Sequence, residues 1–275
     1  MTAHPKVTLV TCKSMPNLFK GEEGLLDELA ARGCDPQIKV WNDPDVDWSE
    51  AGMVVVRSVS DYASDRPAFL EWTKQLRRVQ NSADVLNWNT DKHYLKELAA
   101  MGMPTIPTNW LEPEQNLSKH QIHTRFPAFG EFVVKPAVSS GVRDIGRYTT
   151  VDTRQRQAAM RQVQGLLGEG RSVMIQRYVE EIDLHGEISL VFFNGLVSHA
   201  VEKRSALHPA SVSDAAVHEA VVTAEAADSV AWKWGEEIRR VLHGYVRSRL
   251  GHDEQFLFNR VDLVPDGKGS FLVME

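Results

Sequence analysis

The chain has 275 residues, enough for two or three lobes each with its own buried core. Hydrophobic residues make up 43% and charged residues 25%, the proportions of an ordinary globular protein, and no apolar run reaches the ~18–20 residues of a membrane span. A formal charge of −6 argues against a general nucleic-acid or membrane-surface binder but leaves room for a local basic pocket. Cys12 and Cys34 are too few for a disulfide scaffold or a Cys-rich zinc site. With no secretory signal visible in MTAHPKVTLV, the expected location is a reducing cytoplasm.

The first 88 residues alternate short apolar runs with amphipathic segments. Residues 7–12 predict a buried strand, and residues 22–31 a helix with Leu25, Leu26 and Leu29 on one face, stopped by Gly33. Residues 37–41 and 53–58 predict the next strands, and 65–79 another helix. Strands separated by helices imply a parallel sheet with helices packed on it. Residues 91–101 predict a third helix, with Leu95 and Leu98 on its apolar side and Gly102 and Pro104 ending it. The Pro-rich stretch 104–116 reads as a connection between lobes.

Beyond it the pattern favours paired strands. Residues 132–137 form a strand that enters a loop, 153–167 a helix and 172–179 a strand. Residues 186–193 and 195–203 predict a hairpin turned at Asn194-Gly195, a pair suited to positive φ. Residues 229–250 predict a long helix in which Trp232 and Trp234 are packing residues, and 256–264 with 270–275 a closing hairpin. The expected class is α/β (α+β), a parallel lobe followed by antiparallel ones.

Residues 132–148, FVVKPAVSSGVRDIGRY, place Lys135 at a strand end before a loop of Ser139, Ser140 and Gly141. Small residues let backbone N–H groups approach phosphate oxygens, and lysine supplies a point charge. Gly141 and Gly146 have P-loop spacing, but Arg147-Tyr148 stands where that motif needs Lys and Ser or Thr, which excludes it. A surface hairpin fits the loop as well. Lys92 by itself reads as a solvated helix lysine, and Lys203-Arg204 as a basic strand end that either clamps phosphate or edges a sheet. Asp262 and Glu275, on partner strands of the closing hairpin, would repel unless a cation sat between them; both facing solvent is the alternative. The histidines, among them His185, His199, His208 and His218, are scattered and read as surface or loop residues, and 205–214 as a loop near the site.

Taken in order, these segments resemble the ATP-grasp superfamily over residues 88–275, preceded by a lobe similar to the one that usually precedes it. The resemblance implies lobes at 1–88, 89–171 and 172–275. It implies Lys92 and Lys135 on the α- and β-phosphates, with SSGVRDIG as the mobile loop that closes over them. It also implies backbone groups near Tyr178 and Val179 at the adenine edge with Gln176 beside them, where the family usually has an acidic residue. Glu187 is the implied ribose ligand, with Asp183 as competitor. Lys203 and Arg260 are the implied catalytic cations, and Asp262 and Glu275 two of the metal carboxylates. A further family ligand lies two positions beyond Glu275, so either the chain continues, which is the expectation, or the metal site is weakened.

Within the superfamily, WNDPDVDWSEAGMVVVRSVSDY, LNWNTDKHYLKELAAMGMPTIPT and LVFFNGLVSHAVEKR resemble the branch of the O-ureido-serine cyclo-ligase of cycloserine biosynthesis. That branch tends to carry Trp where this sequence has Ser60. Arg57, Asp61 and Tyr62 follow a strand, where open parallel sheets place ligands, and are candidate substrate contacts; a surface Arg–Asp pair is the alternative. The resemblance implies a ligase that uses ATP and Mg2+ to activate a small-molecule carboxylate for attack by an amine-type nucleophile, inter- or intramolecular. A non-catalytic ATP-binding regulatory protein and a peptide- or protein-modifying ligase are the alternatives. Neither a nucleic-acid nor a membrane partner is expected, and a homodimer is an implication of the resemblance.

Overall fold

The computed structural model describes residues 4–19, 21–203 and 229–275, which form three four-stranded sheets. The first contains β1 (Lys6–Thr11), β2 (Asp35–Val40), β3 (Met53–Ser58) and β4 (Val79–Gln80) in the order β2-β1-β3-β4. All its pairings are parallel, as the alternation of strands and helices requires. Its core joins Val10 and Val54 to an aromatic cluster in which Trp41 meets Phe69 at 5.5 Å and Trp48 meets Trp72 at 5.0 Å. Helix α1 (Gly24–Ala31) lies against β2 but buries none of its residues, so its leucine face is covered only in part.

The expected helix over 65–79 is shorter. Helix α2 (Arg66–Thr73) starts at Asp65, whose carboxylate accepts the Ala68 N–H at 3.1 Å, with Pro67 in the first turn. It ends at Thr73 in a turn closed by the Gln75 and Leu76 N–H groups on the Trp72 and Thr73 carbonyls, and Val79 beyond it pairs with Val54 of β3. An unanticipated helix, α3 (Ala83–Asn89), follows, capped by Ser82. The third expected helix narrows to α4 (Tyr94–Ala100), which places Lys92 in the turn before it.

The second sheet holds β5 (Thr108–Leu111), β6 (Glu131–Pro136), β7 (Gly146–Thr149) and β8 (Val173–Arg177), antiparallel in the order β5-β8-β6-β7. Strand β5 corrects the reading of 104–116 as a bare connection: Pro104, Pro107 and Pro113 all flank it, and an edge strand tolerates such neighbours. Helix α5 (Lys119–His123) precedes β6, and α6 (Thr153–Gly168) buries Ala159, Val163 and Leu166 in the core shared with Phe132 and Val134.

The third sheet follows the short helix α7 (Glu181–His185). It contains β9 (Glu187–Phe193), β10 (Leu196–Lys203), β11 (Phe258–Pro265) and β12 (Phe271–Val273) in the antiparallel order β10-β9-β11-β12. The predicted hairpin turns at Asn194 (φ 50) and Gly195 (φ 76). Helix α8 (Ser229–Leu250) buries Gly235, Ile238, Leu242 and Val246 in this sheet's core, and a Cβ on Gly235 would stand 2.4 Å from Leu190. Trp232 and Trp234 pack on the same core, as expected.

Chain position and sheet membership do not coincide throughout. Leu95 and Leu98 of α4 join the core under the third sheet, while β8 pairs in the second. The first and third sheets are pinned by Asn81, which donates to the Phe258 carbonyl and accepts the Leu257 N–H, both at 2.8 Å. Glu254 adds bonds from the Ser82 N–H and hydroxyl at 2.8 and 2.6 Å. Among the described residues no helix is long and apolar enough to cross a membrane.

Candidate active site

The second and third sheets present cations and carboxylates to one another. Lys135, next to last in β6, is 7% exposed, yet among the described residues its ammonium makes no hydrogen bond or ion pair. Burial pushes that ammonium down and Lys92 adds to the effect, with Glu275 opposing it. Lys92 is 5% exposed and is aimed by its backbone N–H, which bonds the Ala137 carbonyl at 3.0 Å. Its ammonium donates to the Ser139 carbonyl at 3.2 Å and hydroxyl at 3.1 Å and pairs with Glu275 at 3.1 Å. Burial raises the Glu275 carboxyl, but Lys92, Lys135 and Arg260 outweigh it and hold the group below the usual carboxylate range.

Strand alternation explains the other half of the cluster. Val261 and Leu263 of β11 face the core, which turns Arg260 and Asp262 to the opposite face. Lys203 lies across from Glu187 in register and pairs with it at 3.0 Å, and it stands 3.8 Å from Asp262. Arg260 pairs with Asp262 Oδ2 at 2.7 Å. Burial and the neighbouring Asp262 push the Glu187 carboxyl up, against the pull of Lys203 and Arg260. Asp262 in turn holds the Arg260 guanidinium above its usual range.

The glycine-rich loop follows β6, and β8 pairs antiparallel with β6, which sets its end beside Phe132 at the other end of that strand. Ser139 is 3% exposed, Ser140 is half-buried, and Gly141 is exposed with φ +63, a conformation that suits glycine. Gln176 of β8 is buried and donates to the Thr108 hydroxyl at 2.8 Å. The Tyr178 N–H bonds the Glu131 carbonyl at 2.9 Å, and the Val179 carbonyl accepts from Ile182 at 3.1 Å. Asp183 is engaged elsewhere than Glu187: Arg147 donates to it at 3.0 and 2.7 Å and the Tyr178 hydroxyl at 2.5 Å. Arg147 also bonds Glu131 and stacks 3.5 Å over the Tyr178 ring. This clamp was missed in the sequence, where nothing local links Arg147 to Tyr178 or Asp183.

The three first-lobe candidates end in three different places. Arg57 pairs with Glu22 and lies 5.1 Å over the Phe258 ring. Asp61 accepts the Trp41 indole N–H at 2.7 Å. Only Tyr62 reaches the loop, donating to the Ser139 carbonyl at 3.1 Å. Beside that contact opens a cavity of about 610 Å³ bordered by Ser60, Arg66, Asp91, Ser139, Ser140 and Arg143, a volume suited to a small molecule.

For a divalent cation, the donor set is two carboxylates, Asp262 on β11 and Glu275 two residues past the end of its neighbour β12, not on that strand as expected. Asp262 is 2% exposed and its Oδ1 is buried without a hydrogen-bond partner among the described residues. Asp262 and Glu275 are joined through their main chains, with the Asp262 N–H bonding the Glu275 carbonyl at 2.8 Å. One or two carboxylates completed by phosphate oxygens is the set that Mg2+ takes, so the residues fit it. Among the described residues no cluster of three or more His, Cys, Asp or Glu side chains could hold a metal without such help. His185 pairs with Glu181 and His199 bonds Ser198, both on exposed surface. Arg204, His208, His218 and the expected loop 205–214 lie outside the described residues.

Comparison with known proteins gives the family and the fold. The family model described as the N-terminal domain of D-cycloserine synthetase DcsG matches residues 7–87. Over 259 residues the chain is 33% identical to the cycloserine biosynthesis protein DcsG of Streptomyces lavendulae, covering 91% of this chain and 83% of that protein. The crystal structure of D-cycloserine synthetase DcsG superposes with a TM-score of 0.82 at 31% identity, over 98% of this chain and 90% of that one. A RimK-domain ATP-grasp protein from Sphaerobacter thermophilus superposes at 0.61 with 16% identity, over 98% and 89% of the two chains, which shows the shared fold. The chain therefore belongs to the D-cycloserine synthetase family and has the ATP-grasp fold.

Proposed function

We propose that this protein is an ATP- and Mg2+-dependent ligase that activates the carboxylate of a small, amino-acid-like substrate and joins it to an amine-type nitrogen. The observation that carries the reading is Lys135. A buried ammonium without a direct hydrogen-bond or ion-pair partner among the described residues is costly, and a polyphosphate between the second and third sheets would supply one.

In this reading Lys135 and Lys92 bind phosphate oxygens, and the loop from Ser139 folds over them to exclude water. The substrate carboxylate attacks the γ-phosphorus of ATP, the bond to the β-phosphate oxygen breaks, and ADP leaves. Arg260 and Lys203 neutralise charge on the transferred group. The nitrogen then attacks the acyl carbon, the carbon–oxygen bond to phosphate breaks, and phosphate departs with its electron pair while the nitrogen loses a proton. Asp262 and Glu275 would hold Mg2+, which supplies charge neutralisation on the phosphate oxygens. Positioning and charge suffice for such transfer, so no covalent protein nucleophile is needed.

Membership of the D-cycloserine synthetase family makes an O-substituted serine such as O-ureido-serine the first substrate to test, with ring closure as the outcome. A heavy-oxygen-labelled substrate carboxylate should deliver one labelled oxygen to the released phosphate, and hydroxylamine should trap the acyl group as a hydroxamate. Unlabelled phosphate and no hydroxamate, with turnover continuing, would sink the acyl-phosphate route.

A further inference from the structure

Two buried oxygens on the cleft face of the third sheet have no hydrogen-bond partner among the described residues: Ser189 Oγ and Asp262 Oδ1. Their residues are 0% and 2% exposed, so solvent does not satisfy them. They are direct partners in the β9–β11 register, Asp262 opposite Ser189, on the face turned away from Leu190, Leu263 and helix α8. Arg260 at 2.7 Å and Lys203 at 3.8 Å both address the other carboxylate oxygen, Oδ2. A hydroxyl and a carboxylate oxygen on facing positions ordinarily bond one another when they meet. Here they do not, and the arrangement suits a third polar group between them.

We propose that Ser189 is a positioning residue of the metal site, its hydroxyl holding a water in the shell of a divalent cation bound through Asp262 Oδ1. The inference rests on the metal role assigned to Asp262 above and adds a residue to it. Mg2+ keeps several waters when it binds through one or two carboxylates, so hydroxyls that hold those waters set its position. Groups that orient a metal's shell commonly change affinity about 10–100-fold when removed. Ser189 suits the task because a fully buried strand position fixes its backbone, and a small side chain leaves room for the water.

The test is Mn2+ affinity in the presence of ADP, read from the free-ion electron paramagnetic resonance signal, for the wild type, Ser189→Ala and Asp262→Asn. Ser189→Ala should bind Mn2+ about tenfold or more weakly, with unchanged melting temperature and unchanged affinity for ADP in the absence of metal. Wild-type Mn2+ affinity in Ser189→Ala, with Asp262→Asn impaired, would overturn the role of Ser189 alone. Wild-type affinity in Asp262→Asn would instead remove the metal reading on which it rests. If Ser189→Ala melts early, Ser189→Cys keeps nearly the same volume without the oxygen and should show the same loss of Mn2+ affinity; undiminished affinity there would equally overturn the proposal.

Discussion

The Tyr62 hydroxyl donates to the Ser139 carbonyl at 3.1 Å, so the first lobe holds the first residue of the glycine-rich loop directly. Lys92 donates to the same carbonyl at 3.2 Å. Burial first, and Glu275 second, push the Tyr62 phenol up to about 12, which keeps it a donor throughout the neutral range. Tyr62→Phe removes one hydrogen bond of about 1 kcal/mol, so turnover should fall about fivefold. ATP affinity should stay unchanged in equilibrium titration, since Lys92 and Lys135 remain. A Tyr62→Phe enzyme with wild-type turnover would show that the contact does not position the loop.

Lys135→Met separates binding from stability. The variant replaces a buried ammonium that has no direct partner among the described residues by an apolar chain of similar length, so its melting temperature should hold or rise. ATP affinity should fall by about tenfold or more, the loss expected for one charge-assisted contact of ~1.5–3 kcal/mol. A drop in melting temperature without a loss of ATP affinity would assign Lys135 to the fold.

The Arg147 clamp makes a different prediction. Arg147 is buried, bonds Glu131 and Asp183, and stacks on Tyr178 just past the end of β8. Lysine reproduces neither the planar fork nor the stacking. Arg147→Lys should therefore destabilise by about 1–3 kcal/mol in urea titration. ATP affinity should also fall, because the Tyr178–Val179 segment loosens. Wild-type stability would mean that the clamp is an uncoupled surface pair.

His93 adds a pH dependence. Its ring nitrogens meet Asp91 at 2.6 Å and Glu112 at 3.0 Å, and the ring stacks on Trp110 at 4.5 Å. The Asp91 bond raises its pKa above the ordinary 6.5, burial opposes, and Glu112 adds to the rise. A raised folded-state value means that the stabilisation is complete below 6.5 and fades as pH climbs through the higher folded value. His93→Gln should flatten the melting-temperature profile in that window and lower stability mainly on its acid side. An unaltered profile would contradict the pairing.

The sequence exposed those parts of the fold whose signals are local. Val7 to Cys12 and Met53 to Ser58 are apolar runs that only a sheet covered by helices buries, and Asn194-Gly195 selects its hairpin. The misread parts depend on partners far along the chain. Thr108–Leu111 is polar enough to pass for a connection until it pairs with β8, and Val79 continues a helical period until it pairs with β3. In the site, Lys135 and the glycine-rich loop could be found from spacing, and the structure brings Lys92, Ser139 and Glu275 together as one network. The Arg147–Asp183 and Arg57–Glu22 pairs could not, since each joins residues 36 and 35 positions apart. Ser189 was invisible for a simpler reason: an isolated serine in an apolar strand looks like any other small residue.

The most direct measurement of the central claim is Mg2+-ATP-dependent phosphate release, assayed against amino acids and O-substituted serines, O-ureido-serine first. The account predicts release that requires an added carboxylate and is abolished in Lys135→Met. Tight ATP binding with no carboxylate-dependent release from any member of the panel would contradict it.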